Sequence, residues 1–152
     1  MAKQQEKKYA LSLAGEFAVC AELLKRNVPC NLTFGNAKAA DIILLGQGKE
    51  RRAWIVEVKT TDSTKFVTNF FQKYPTPQSG PHPDFWVLVR FDRELASHFY
   101  IMTHSEMAKA QMRRNKMKKW ASVVGLDNVL LAQIEQHENK WDTIVSIVYK
   151  QK

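Results

Sequence analysis

The chain is poor in the residues that interrupt or cross-link a fold. It has five prolines, six glycines and two cysteines in 152 residues. All but one of the prolines fall between Tyr74 and Pro83, so that stretch reads as an extended loop and the rest is free to form regular structure. Cys20 and Cys30 are too few, and too awkwardly spaced, for a disulfide framework or a zinc site. Cys20 falls in a helical pattern and Cys30 follows Pro29 just before a strand, so both are expected as reduced thiols of a cytoplasmic protein. No apolar run reaches membrane-spanning length, and Met1 to Lys8 is polar and charged with no apolar segment of a secretory signal after it. No membrane partner is expected. Acidic residues are in deficit, 15 against 23 basic, for a net charge of +8. That balance points to a polyanionic partner, nucleic acid before an anionic membrane, unless the surface is merely basic. An apolar fraction of 45% with 11% aromatics argues for a folded globule, and the length for one domain over residues 1–152.

Met1 to Lys8 reads as a loose basic arm. Leu11 to Asn27 reads as a helix with Ser12 as N-cap and Leu13, Phe17, Ala21 and Leu24 on its core face. Cys30 to Phe34 is a short strand, Gly35 to Ala39 a turn, and Asp41 to Leu45 a second strand. The polar turn Gly46 to Glu50 makes a hairpin into a third strand, Arg52 to Lys59. Lys65 to Lys73 suggests a short helix. Phe85 to Phe91 and Ser97 to Thr103 are apolar strands. Ser105 to Trp120 is a basic helix with Met107, Met112 and Met117 along one stripe. Val129 to Gln136 suggests a helical turn or two, and Trp141 to Tyr149 a last helix or strand. The order predicts an α/β fold around one mixed sheet, with a core over about residues 11–103 and a mostly helical, basic C-terminal extension over about 104–152.

Two of these strands carry charge where a buried strand should not. Asp41 opens the second, and the third ends in Glu57-Val58-Lys59. Alternate side chains on a strand share a face, so Glu57 and Lys59 point one way and Val56 and Val58 the other. Burying a carboxylate and an ammonium is costly unless they are paired or bind a metal. Two carboxylates for a hard cation, with a lysine beside an attacking water, are what a metal-dependent phosphodiesterase needs. A Glu-x-Lys alone is common in amphipathic edge strands. The aspartate one hairpin away sharpens it, as does Glu16, which interrupts the short-residue stretch Ala14-Gly15-Glu16-Phe17-Ala18. The alternative for Glu16 is a solvent-facing helical glutamate.

This arrangement resembles the PD-(D/E)xK, or restriction endonuclease-like, nuclease superfamily over Leu11 to Thr103, and in kind its small Holliday-junction-resolvase-like members. Asp41 matches the family's metal-binding aspartate, Glu57-Val58-Lys59 its Glu-x-Lys, and Glu16 its first-helix glutamate. Ala40 stands where the family has proline, which is not a ligand. Pro83-Asp84 also spells Pro-Asp before a strand, but no acid and lysine follow at the right distance, so Asp84 reads as a cap on the strand entry. The resemblance implies a single-domain core of helix, three-strand meander, helix and two strands. It implies magnesium, with manganese able to substitute, on Asp41, Glu57 and the backbone carbonyl of Val58. Glu16 would hold a second metal or bind through water, and Lys59 would serve the attacking water.

The implied activity is endonucleolytic hydrolysis of DNA, structure-selective in the resolvase-like version. The alternatives are a non-catalytic nucleic-acid-binding or assembly module on the same fold, or an RNA-processing nuclease. Thr60 and Thr61 either contact phosphate or are ordinary strand-end residues. Lys109, Arg113, Arg114, Lys116, Lys118 and Lys119, with Glu106 their sole acidic companion, form a candidate phosphate-binding helix or a solvated face. His82, His98, His104 and His137 have no ligand spacing and read as surface or loop residues. The tryptophans read as core. A homodimer is geometrically natural for cutting two strands.

Overall fold

The computed structural model describes residues 1–34, 40–49, 51–120 and 125–150. Phe85 to Phe91 sets its layering. Phe85, Val87 and Val89 enter one apolar cluster while Trp86 and Leu88 enter another. A strand apolar on both faces belongs inside a sheet covered on both sides. The elements are α1 (Ala2–Lys25), β1 (Cys30–Leu32), β2 (Ile42–Leu45), β3 (Ala53–Thr61), β4 (Lys65–Val67), α2 (Phe70–Lys73), β5 (Phe85–Phe91), β6 (Ser97–Thr103), α3 (His104–Arg114), β7 (Asn128–Leu130), α4 (Leu131–Ile134) and α5 (Asp142–Tyr149). A 3-10 turn, Glu135–His137, separates the last two helices.

The main sheet has the order β1-β2-β3-β5-β6. It is mixed: β3 and β5 are parallel and every other neighbouring pair is antiparallel. The expected α/β architecture with a mixed central sheet is therefore present. So is the hairpin from β2 to β3, with Gly46 N donating to Arg52 O at 2.7 Å. The expected turn at Gly35 to Ala39 lies outside the described residues, as does Glu50. One cluster packs α1 and α5 against the Val56 and Val58 face of β3; Trp141, Ile144 and Val148 complete it. The other packs α2, α3 and β7 against Trp86 and Leu88. Strand β7 pairs with β4 in a second, two-stranded sheet. The C-terminal extension thus contributes to both cores.

Several local expectations are corrected. Met1 to Lys8 is not a loose arm. Helix α1 begins at Ala2, and Ser12 lies mid-helix. Gln4, Gln5, Glu6, Lys7 and Lys8 are all good helix formers, and they extend the helix begun by the packed residues behind them. The buried face of α1 is Gly15, Glu16, Val19, Cys20 and Leu23, while Phe17 and Leu24 are exposed. Lys65 to Val67 is strand, and only Phe70–Lys73 is helical. The basic helix stops at Arg114: Lys116 adopts φ 54°, and the Asn115 side chain bonds Leu126 N and O. Cys20 and Cys30 are joined in a disulfide, not reduced thiols. Asn27, at φ 58°, reverses the chain after α1 and lays β1 beside the helix, which brings the two cysteines within 6.2 Å between Cα atoms.

Candidate functional site

Strand β3 is the central strand of the main sheet, and Glu57 and Lys59 sit in its middle. The register sets Glu57 beside Trp86 and Lys59 beside Leu88 of β5. Both side chains therefore share the sheet face of that aromatic cluster, which is open at this point. Lys59 Nζ lies 2.9 Å from Glu57 Oε1, with side-chain exposures of 23% and 14%. The direct contact offsets part of the desolvation cost of holding two charges in so sheltered a place.

Asp41 lies one residue beyond the β2–β3 ladder, whose register joins Ile42 to Val56. Continuing that register brings Asp41 alongside Glu57. Its carboxylate is fixed from below: Val58 N donates to Asp41 Oδ2 at 2.8 Å. The backbone of the Glu-x-Lys segment thus orients the aspartate of the neighbouring strand. Glu16 comes from α1 and is 4% exposed. All four residues line one cleft of about 800 Å³. Thr60 and Thr61 line it as well. Asp84 Oδ2 accepts from Ile55 N at 2.8 Å and so ties the start of β5 to β3, in keeping with a strand-entry role.

The basic segment is not part of this cleft. None of Lys109, Arg113, Arg114, Lys116, Lys118 and Lys119 lines it. Two of them make internal contacts: Arg113 donates to Gln133 O at 2.6 Å, and Arg114 to Asn128 Oδ1 at 2.8 Å. They tie α3 to the segments that follow it.

The cleft also contains residues that sequence reasoning passed over: Lys8, Lys65, Lys73, Tyr74 and His82. Lys73 Nζ lies 3.9 Å from Glu57 Oε1. Burial pushes the Tyr74 hydroxyl above its ordinary value, and the Glu57 carboxylate adds to the shift. His82 stacks on His104 at 3.9 Å between ring centroids. His104 corrects the reading of the histidines as surface or loop residues. It is buried at the start of α3, and its Nδ1 accepts from Trp86 Nε1 at 3.1 Å. Burial, helped by the neighbouring His82, lowers its pKa to about 4. Tyr74 and His82 come from the irregular segment between α2 and β5, whereas Lys8, Lys65 and Lys73 are single polar positions on α1, β4 and α2, so no shared periodicity marks the set.

No protein-family model and no curated protein matches the chain. Among solved structures it is similar to a bacterial homing endonuclease, I-Ssp6803I, with a TM-score of 0.42 and 17% sequence identity. The match covers 62% of this chain and 64% of that one, just under two thirds of its length. No helix among the described residues is long and apolar enough to cross a membrane.

Proposed function

We propose that this chain is a divalent-cation-dependent nuclease that hydrolyses phosphodiester bonds in DNA, built on a PD-(D/E)xK site. The observation that carries the reading is the meeting of Asp41, Glu57 and Lys59 in one cleft, with Glu16 buried beside them. Among the described residues no three His, Cys, Asp or Glu side chains are grouped as a metal cage. Magnesium does not require one. It binds through one or two carboxylates and completes its shell with water and substrate phosphate. The donor set fits: Asp41 and Glu57 offer hard carboxylate oxygens, which favour magnesium or manganese over zinc. Asp41, Glu57 and the Val58 carbonyl would hold the ion, and Glu16 would act through water or at a second one. A cation bound there supplies a water of lowered pKa and neutralises charge on the phosphate.

The chain's own residues do the rest. The Val58 N–H holds Asp41 in place before any ligand arrives, so this carboxylate does not have to be ordered on binding. Lys59 spends one N–H on Glu57 and keeps two donors for the attacking water or a phosphoryl oxygen, where negative charge grows in the transition state. A non-catalytic binding module is the second reading. One observation favours it: Glu57 is already engaged by the ammoniums of Lys59 and Lys73.

The test is cleavage of branched duplex, linear duplex and single-stranded DNA, and of RNA, with magnesium, manganese or chelator. Metal-dependent cutting of DNA supports the first reading. Cutting of RNA alone would reassign the substrate. Binding without cutting would leave the second reading in its place.

A further inference from the structure

We propose that Lys73 is a phosphate-binding cation of the cleft, parked on Glu57 until a phosphodiester group replaces that carboxylate as its partner. The inference rests on the reading of the cleft as a phosphodiester site and adds to it a residue that no sequence motif marks.

Glu57 Oε1 faces two ammoniums, Lys59 at 2.9 Å and Lys73 at 3.9 Å. One carboxylate balances one of them. Lys59 has the shorter contact and is mostly buried, so it is the partner of Glu57. Lys73 is at the outer limit of an ion pair and half exposed, an arrangement that holds a side chain weakly. Its charge remains available to another anion.

The backbone beneath it is fixed. Phe71 N and Gln72 N both donate to the Asp127 carboxylate, at 2.7 and 3.2 Å, and Thr68 N donates to Asp127 O at 2.9 Å. Phe70 is fully buried and packs on Trp86 at 5.7 Å between centroids. A half-exposed ammonium on an anchored backbone is suited to meeting a phosphate: only the side chain, and not the segment that carries it, has to be ordered on binding. The cleft needs such a cation. Lys8, Lys59, Lys65 and Lys73 line it together with Glu16, Asp41, Glu57 and Asp62, so lysines and carboxylates are equal in number. A polyanion entering it needs a lysine that can leave its carboxylate, and the long contact of Lys73 allows that.

The experiment measures binding of wild type, Lys73→Gln and Lys73→Arg to a labelled linear duplex and a labelled four-way DNA junction. It uses calcium, and chelator in parallel, across a salt series, with magnesium-dependent cleavage measured alongside. The proposal expects Lys73→Gln to weaken binding several-fold at moderate salt. It also expects the slope of log affinity against log salt to flatten by about one, the contribution of one phosphate contact. Lys73→Arg should restore the slope, and both variants should melt with the wild type because the side chain is half exposed. An unchanged slope in Lys73→Gln while wild type binds and cuts DNA overturns the role of Lys73 and leaves the nuclease reading intact. A flattened slope restored by arginine, in a protein that cuts nothing, supports Lys73 and sinks the nuclease reading. Absence of any DNA binding by wild type overturns both.

Discussion

A Cβ added to Gly15 of α1 would sit 1.8 Å from Thr60 Oγ1 of β3. Helix and central strand meet there with no room for a side chain on the helix, and the next residue along the helix is Glu16. In open space, Gly15→Ala in a helix interior would gain about 1 kcal/mol. Here the overlap forces α1 away from β3, and overpacking of this kind costs roughly 1–3 kcal/mol. Gly15→Ala should therefore lower the denaturation midpoint. Thr60→Ala removes the atoms at 1.8 and 3.0 Å and should recover part of the loss, giving a favourable coupling in a double-mutant cycle. Additive effects in that cycle would show that the contact does not set the helix position.

The Cys20–Cys30 bond closes a short loop over the end of α1, the Asn27 turn and the start of β1. By loop-closure entropy such a cross-link stabilises the fold by about 3 kcal/mol. Reductant, or Cys30→Ser, should lower the unfolding free energy by roughly that amount in a denaturant titration. Equal midpoints with and without reductant would mean that the bond is not formed in solution.

His104 gives the protein an acid-sensitive core. Its pKa is lowered from 6.5 to about 4 in the folded state, by burial first and by His82 second. The unfolded chain thus binds a proton between those values that the folded chain does not. Stability contributed by neutral His104 is complete above about 6.5 and falls as pH drops towards about 4. His104→Gln keeps an acceptor for Trp86 and should flatten the stability profile in that window. A profile as steep as that of wild type would assign the sensitivity to other groups.

Arg113 and Arg114 are held by Gln133 O and the Asn128 side chain. Their reversal to glutamate should cost stability as well as charge, whereas Lys118→Glu with Lys119→Glu, both exposed, should leave the melting temperature unchanged. If the basic segment binds DNA, the lysine pair alone should flatten the salt dependence of affinity. An unchanged slope would make the segment a solvated face.

The three-strand meander and the charges within it were legible, because Asp41 and the Glu57–Lys59 pair violate the apolar pattern of the strands that carry them. Helix α1 was harder. Leu13, Phe17 and Leu24 mark one face and Val19, Cys20 and Leu23 another, so two apolar stripes competed, and only tertiary packing decides for the second. Glu16 lies on the winning face. Lys73 was illegible, because the hydrogen bonds that seat α2 come from Asp127, far along the chain. The disulfide was equally hidden: spacing does not reveal that the Asn27 turn folds β1 back onto the helix.

The central claim is that Asp41, Glu57 and Lys59 form a phosphodiester-cleaving site, and magnesium-dependent DNA cleavage by wild type, Asp41→Ala and Lys59→Ala tests it most directly. The account predicts cutting by wild type, none by Asp41→Ala, and turnover lowered by roughly 10²-fold or more in Lys59→Ala with DNA binding nearly retained. Both variants should still fold but melt below wild type, since Asp41→Ala takes the acceptor from Val58 N and Lys59→Ala the ammonium from Glu57. Cutting by Lys59→Ala at the wild-type rate, or by Asp41→Ala at all, would contradict the account.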